Sequence, residues 1–215
     1  VLMVEFIDDD LDVARKKLKD LESLIKLDNQ NNDFAAYEDL NDQKAVFEIR
    51  KAGLNILMSM KGDRKGVAFI EDCAVTLENL ADYTERLRDV FRKYNTEGLF
   101  YAHASVGTLH VRPILNAKSE QDIKNMKAIA KEAFTMVKEY KGSHSGEHGD
   151  GIVRSEFHEM MFGKKIVGAF EEIKDTFDPK GLLNPGKIVR AFKSDDRTLM
   201  RYKPGYKAEN ISTHY

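Results

Sequence analysis

Tyr101-Ala102-His103-Ala104-Ser105-Val106-Gly107-Thr108-Leu109-His110 is the stretch that decides how the middle of this chain folds. Residues 98–103 and 108–114 read as two strands, joined by a short turn that contains Gly107. His103 and His110 stand at the two ends of that turn. Seven positions along a straight strand would put them on opposite faces, but a reversal through Gly107 brings the two ends together.

Working outward, Val67-Ala68-Phe69-Ile70 reads as a strand that ends in Glu71-Asp72. A helix from about Leu77 to Tyr94 follows, with Leu80, Tyr83, Leu87, Val90 and Phe91 on one face. Beyond the hairpin, 119–140 predicts an amphipathic helix carrying Ile123, Met126, Ile129, Ala130, Phe134 and Val137. The chain opens on the same order. Residues 1–7 read as a strand, and Asp8-Asp9-Asp10 sits where a helix N-terminus favours negative charge. Leu11, Ala14, Leu18, Leu21, Leu24 and Ile25 then follow at helical spacing. Residues 28–43 read as a loop or helix approach, 44–52 as a helix ending at Gly53, and 54–60 as strand or loop. A helical region spans about Ser155 to Thr176 and stops at Asp178-Pro179. The expected fold is α+β, with repeated ferredoxin-like units and an antiparallel sheet covered by helices. Residues 1–190 are expected to form one domain and 191–215 a tail or linker. The strand-like opening without an initiator Met suggests a piece of a longer polypeptide.

Composition narrows the function. Among 215 residues, Lys plus Arg is 34 and Asp plus Glu is 36, for a net charge of −2, so no nucleic-acid partner is expected. A single cysteine excludes a disulfide framework, a four-cysteine zinc site and an iron–sulfur cluster within the chain. No apolar run approaches the roughly 20 residues a membrane-spanning helix needs. The expected compartment is the cytoplasm, with peripheral contact at the inner membrane left open.

The chemistry concentrates in a few residues. Neutral imidazoles are good zinc ligands, which makes His103 and His110 candidates. In Gly146-Glu147-His148-Gly149, Glu147 can complete a two-histidine, one-carboxylate metal site, and His148 can take a proton. Against this, the glycines of 141–151 need only build a turn with solvated polar residues. His144, His158 and His214 are assigned no role. Arg50 and the basic run Lys61, Arg64 and Lys65 can grip an anion or simply be solvated. Cys73 reads as a small buried residue, and Met58, Met60, Met160 and Met161 as packing residues.

Four ordered motifs carry a resemblance. They are Phe69-Ile70-Glu71-Asp72-Cys73-Ala74-Val75, the His103/His110 turn, Ser145-Gly146-Glu147-His148-Gly149, and Phe177-Asp178-Pro179-Lys180-Gly181-Leu182-Leu183-Asn184-Pro185-Gly186-Lys187. Together they resemble the C-terminal domain of FAD-linked oxidases, the family of flavin-dependent D-lactate, glycolate and D-2-hydroxyglutarate dehydrogenases. The resemblance implies a cap and substrate domain beside an N-terminal domain that holds most of the FAD. It implies a small 2-hydroxy acid as substrate, and a divalent metal, usually zinc, at His103, His110 and Glu147. It makes His148 the catalytic base. It puts Arg50 on the substrate carboxylate, with Lys65 as the nearest match to a second substrate-binding residue. It returns Asn184 and Lys187 towards the flavin. Ile49-Arg50-Lys51-Ala52-Gly53 and the tail Met200-Arg201-Tyr202-Lys203-Pro204-Gly205-Tyr206 look most like large members fused to an iron–sulfur module. One departure stands out: Ala104-Ser105-Val106-Gly107-Thr108 lies between the histidines where the family commonly reads Ala-Gly-Asp-Gly-Asn. A module that binds metal or ligand without catalysis of its own is the alternative.

Overall fold

The computed structural model describes residues 1–27 and 33–207, which excludes His214. The chain divides into two compact units, Val1–Asn55 and Ile56–Tyr215.

In the first unit, residues 1–8 form no strand, although their sequence is strand-like. A strand needs a partner ladder, and no described strand of this unit offers one. Helix α1 (Leu11–Leu27) starts where the Asp10 side chain accepts the Asp12 N–H at 2.9 Å. Helix α2 (Leu40–Met58) starts likewise at Asp39, which accepts the Asn41 N–H at 2.8 Å. It runs straight through Gly53, where the sequence predicts an end, and takes in most of 54–60. A helix-interior glycine costs only about 1 kcal/mol, too little to stop a helix by itself.

The second unit is an antiparallel sheet backed by two long helices, so the α+β expectation holds. Strand β3 (Gly98–His103) and β4 (Thr108–Leu115) form the central hairpin. Two short strands, β1 (Lys65–Gly66) and β2 (Cys73–Ala74), also pair with β4, at Leu115/Ile114 and at Leu109/Thr108. Since β3 occupies one edge of β4, β1 and β2 are the two ends of one interrupted strand on the other edge. The expected strand over 67–70 is therefore corrected: those residues bulge off the sheet between β1 and β2. The Val67 N–H reaches the Pro113 carbonyl at 2.9 Å, and ladder bonding resumes only when the Asp72 N–H meets the Leu109 carbonyl. The bulge drives Phe69 and Ile70 into the core. It leaves Asp72 buried with a φ of 86°.

Helices α3 (Leu77–Lys93) and α4 (Glu120–Glu139) follow the sequence periodicity closely. They bury Tyr83, Leu87, Val90 and Phe91 from one, and Ile129, Ala133, Phe134 and Val137 among others from the second. These pack with Leu109, Val111 and Leu115 of β4. The helical region after 150 is broken into α5 (Gly151–Arg154), a 3₁₀ turn (Ser155–Phe157), α6 (His158–Phe162) and α7 (Lys164–Phe177). Gly163, at a φ of 81°, separates the last two. Cys73 is buried as expected, and burial pushes its thiol up to about 12. Met160 and Met161 pack against the core, whereas Met58 is exposed, with Arg112 Nη1 at 3.2 Å from its sulfur. Residues 191–207 carry no helix or strand. They are tied down by Ser194, which donates to Glu156 at 2.8 and 2.9 Å, and by Arg197, which pairs with Glu120. No described helix is long and apolar enough to cross a membrane.

Candidate functional site

Strand alternation places Tyr101 and His103 of β3, and Thr108, His110 and Arg112 of β4, on the sheet face opposite Leu109 and Val111. His110 lies directly across from Tyr101, and His103 across from Thr108. The two imidazoles are thus diagonal neighbours, with ring centroids 5.2 Å apart. Gly107 makes this approach possible. It sits at a φ of 70°, and a Cβ there would lie 1.8 Å from the Val75 carbonyl oxygen.

The glycine-rich loop reaches the same face through backbone pairing. Ser143 bridges to Ala74, and the Gly146 N–H donates to the Asp72 carbonyl at 2.7 Å. The Asp72 carboxylate then accepts the N–H of Glu147 at 2.9 Å and of His148 at 2.8 Å. The amides of Gly146, Glu147 and His148 are thus committed to Asp72.

Three imidazole nitrogens converge on one oxygen. Glu147 Oε1 lies 3.1 Å from His110 Nε2, 3.4 Å from His148 Nε2 and 3.6 Å from His103 Nε2. His148 stacks on His110 at 4.8 Å. Burial, reinforced by His148, holds His110 below the usual imidazole range, in the neutral form that binds metals. Two imidazoles and a carboxylate are a donor set that suits a divalent transition metal. His103, His110 and Glu147 therefore fit such an ion. The donor atoms that all lie within 4.8 Å of one another are those of Asp72, His110, Glu147 and His148, and His103 joins this group through Glu147 at 3.6 Å.

Two residues with no role from the sequence complete the site. Glu71, buried, lies with Oε1 3.2 Å from His148 Nδ1, and its Oε2 accepts Arg112 Nε at 2.5 Å. The Phe69–Val75 motif marked Glu71 in the sequence, but nothing local tied it to a partner 41 positions away. Arg112 is two residues beyond His110, on the same face, which was the one available hint.

Within the second unit, Lys65, Asn184 and Lys187 fall elsewhere. Lys65 pairs with Leu115, five positions along β4 from His110, or roughly 17 Å. Its ammonium donates to the Met60 carbonyl. Arg50 is on α2 in the first unit, outside the unit that carries the histidines. Lys187 Nζ is 3.3 Å from Asn184 Oδ1, in an exposed turn. Among the described residues no hydrogen bond or ion pair joins that turn to the histidine cluster.

Comparison with known proteins agrees with the motifs. Residues 1–188 match the family model for FAD linked oxidases, C-terminal domain. The chain is 32% identical over 182 residues to D-2-hydroxyglutarate dehydrogenase of Haemophilus influenzae, covering 83% of this chain and 18% of that protein. It is 34% identical over 158 residues to D-2-hydroxyglutarate dehydrogenase of Pantoea ananatis, covering 74% of this chain and 15% of that one. It is 32% identical over 149 residues to D-lactate dehydrogenase of Archaeoglobus fulgidus, covering 69% of this chain and 31% of that one. The chain thus spans less than a fifth of the length of the first two relatives. With a family match over nearly its whole length, the chain belongs to the C-terminal domain family of FAD-linked oxidases.

Proposed function

We propose that this chain is the cap and substrate-binding part of an FAD-dependent dehydrogenase that oxidises a D-2-hydroxy acid of the lactate, glycolate or 2-hydroxyglutarate type. The observation that carries the reading is the convergence of His103, His110 and His148 on Glu147. The names and family of the relatives support the substrate class.

In this reading His103, His110 and Glu147 hold a divalent ion of the zinc type. Such an ion supplies positive charge where a 2-hydroxy acid presents its carboxylate and hydroxyl, and eases ionisation of the hydroxyl. His148 accepts the hydroxyl proton on Nε2. Glu71 orients that ring through Nδ1, and Arg112 holds Glu71 in place. Arg50 is assigned to the substrate carboxylate on the family resemblance alone. FAD rests mainly on an N-terminal domain of the same polypeptide, as the family implies, with Asn184 and Lys187 turned towards it. The hydride of the substrate's C2 passes to the flavin, whose chemistry this domain only faces. An iron–sulfur module downstream is part of the proposal, on the strength of the tail sequence. Taken alone, the chain is a metal- and ligand-binding module.

The test is dye reduction by the full-length protein, with bound flavin, across a panel of D- and L-2-hydroxy acids. Reduction confined to D-acids is expected. A flavin-loaded protein that reduces dye with none of them defeats the reading.

A further inference from the structure

His144 and His158 are among the most buried polar residues of the chain, and the site above uses neither. Their exposures are 0% and 3%. Both converge on Asp150: His144 Nε2 lies 3.2 Å from Asp150 Oδ1, and His158 Nε2 lies 2.8 Å from Asp150 Oδ2. One ligand atom from each of the three residues lies within 4.8 Å of the other two. Phe134 and Phe162 pack on the His144 ring, and Phe162 and Phe170 on the His158 ring. Apolar rings thus pack on both imidazoles, and Arg154 lies on the Asp150 side of the cluster.

These contacts are close but are not hydrogen bonds. His144 Nε2, His158 Nε2 and Asp150 Oδ1 are buried, and none has a hydrogen-bond partner. The His158 tautomer sharpens the point. Its Nδ1 is 2.8 Å from the Ile188 carbonyl, which can only accept, so Nδ1 carries the hydrogen. Nε2 then faces the Asp150 carboxylate at 2.8 Å, and the group the two share in this apolar surrounding is a cation: a proton that makes the ring an imidazolium, or a metal ion that takes its place. A backbone carbonyl on the far nitrogen is also the usual support for a metal-bound imidazole. Arg154 approaches Asp150 Oδ1 at 3.7 Å, but its terminal nitrogens are committed to the Glu71 and Gly149 carbonyls.

We propose that His144, Asp150 and His158 form a second, buried metal site that takes a divalent ion of the zinc class. Two nitrogens and one oxygen suit that class, and tetrahedral bonds of about 2.0–2.2 Å set donor atoms a little over 3 Å apart. The site joins the start of the 144–150 loop to α6. That loop also carries Glu147 and His148, so the second ion is structural and fixes the ground on which the first cluster stands.

The test is metal stoichiometry of the full chain, stripped by chelation and re-equilibrated with zinc alone. His144→Leu and His158→Leu are each expected to lose one equivalent relative to the unsubstituted chain. His103→Ala/His110→Ala is expected to keep one, which separates this proposal from the reading of the first site. Zinc is also expected to raise the melting temperature of His103→Ala/His110→Ala. If the leucine variants fail to fold, cobalt loading of His103→Ala/His110→Ala decides: visible d–d absorption of four-coordinate Co²⁺ is expected, and its loss in the further variant Asp150→Asn. Unchanged zinc content in folded His144→Leu and His158→Leu overturns the proposal, as does a His103→Ala/His110→Ala chain that binds neither metal.

Discussion

The carboxylate of Asp72 accepts the backbone N–H of His148 at 2.8 Å, across 76 positions of sequence. The same carboxylate holds the Glu147 N–H, and its own backbone sits at a φ of 86° with the side chain buried. Asp72 is therefore the clamp that presents both residues to the histidine hairpin. Asp72→Ala removes the acceptor of the Glu147 and His148 amides and is expected to destabilise the fold by about 1–3 kcal/mol in urea unfolding. In the full-length enzyme it is expected to lower kcat/KM about 10²-fold, since a displacement of an ångström has that effect on chemistry.

Glu71 and Arg112 act on His148 at one remove. Glu71→Gln is expected to lower kcat more than it raises KM, because it changes the partner of the proposed proton acceptor. Arg112→Ala is expected to move the two constants in the same way, with Arg112→Lys restoring part of the loss. A merely structural role for Glu71 would lower stability and leave kcat of the folded protein unchanged.

Gly107 should tolerate nothing larger. Gly107→Ala puts a Cβ 1.8 Å from a carbonyl oxygen as well as leaving an L-residue at positive φ. The expected loss is about 3 kcal/mol or more, with reduced metal binding at His103 and His110. Gly62 is the control. Its φ is 87° but nothing lies within 4 Å, so Gly62→Ala should cost only about 1–2 kcal/mol in thermal melts.

Acid should release the C-terminal segment through Glu156. Burial alone would raise this carboxyl, but the Ser194 N–H with Lys127 and Lys193 outweighs it and lowers the carboxyl from 4.5 to about 2. A carboxylate whose folded value is depressed stabilises the fold above its unfolded value, and that stability is lost as pH falls towards the folded one. The stability difference between the unsubstituted chain and Glu156→Gln is expected to be roughly 2–3 kcal/mol above pH 4.5, shrinking to nothing near pH 2. Urea midpoints measured across that range check it.

What the sequence made legible was local. The α3 and α4 stripes fall where the 3.6-residue period places them, and the turn through Gly107 explains how His103 and His110 meet. Residues 1–7 have strand composition but no ladder, and composition cannot supply a partner. The bulge at 67–72 depends on how β1 and β2 share one edge of β4, which no window over those residues contains. Glu71, Arg112, His144 and His158 carry no local sign of a role for the same reason. Each gains its meaning from a group brought close only by the fold, and a lone polar residue gives no local sign of that.

The central claim is that His148, set among Glu71, Glu147 and the hairpin histidines, takes a proton from a D-2-hydroxy acid. The most direct measurement is anaerobic bleaching of the flavin in the full-length protein, followed by stopped flow after mixing with D-2-hydroxyglutarate or D-lactate. The unsubstituted enzyme is expected to bleach with at least one of them, and His148→Gln to bleach about 10²–10⁴-fold more slowly at saturating substrate. Equal bleaching rates in the two proteins would contradict the account.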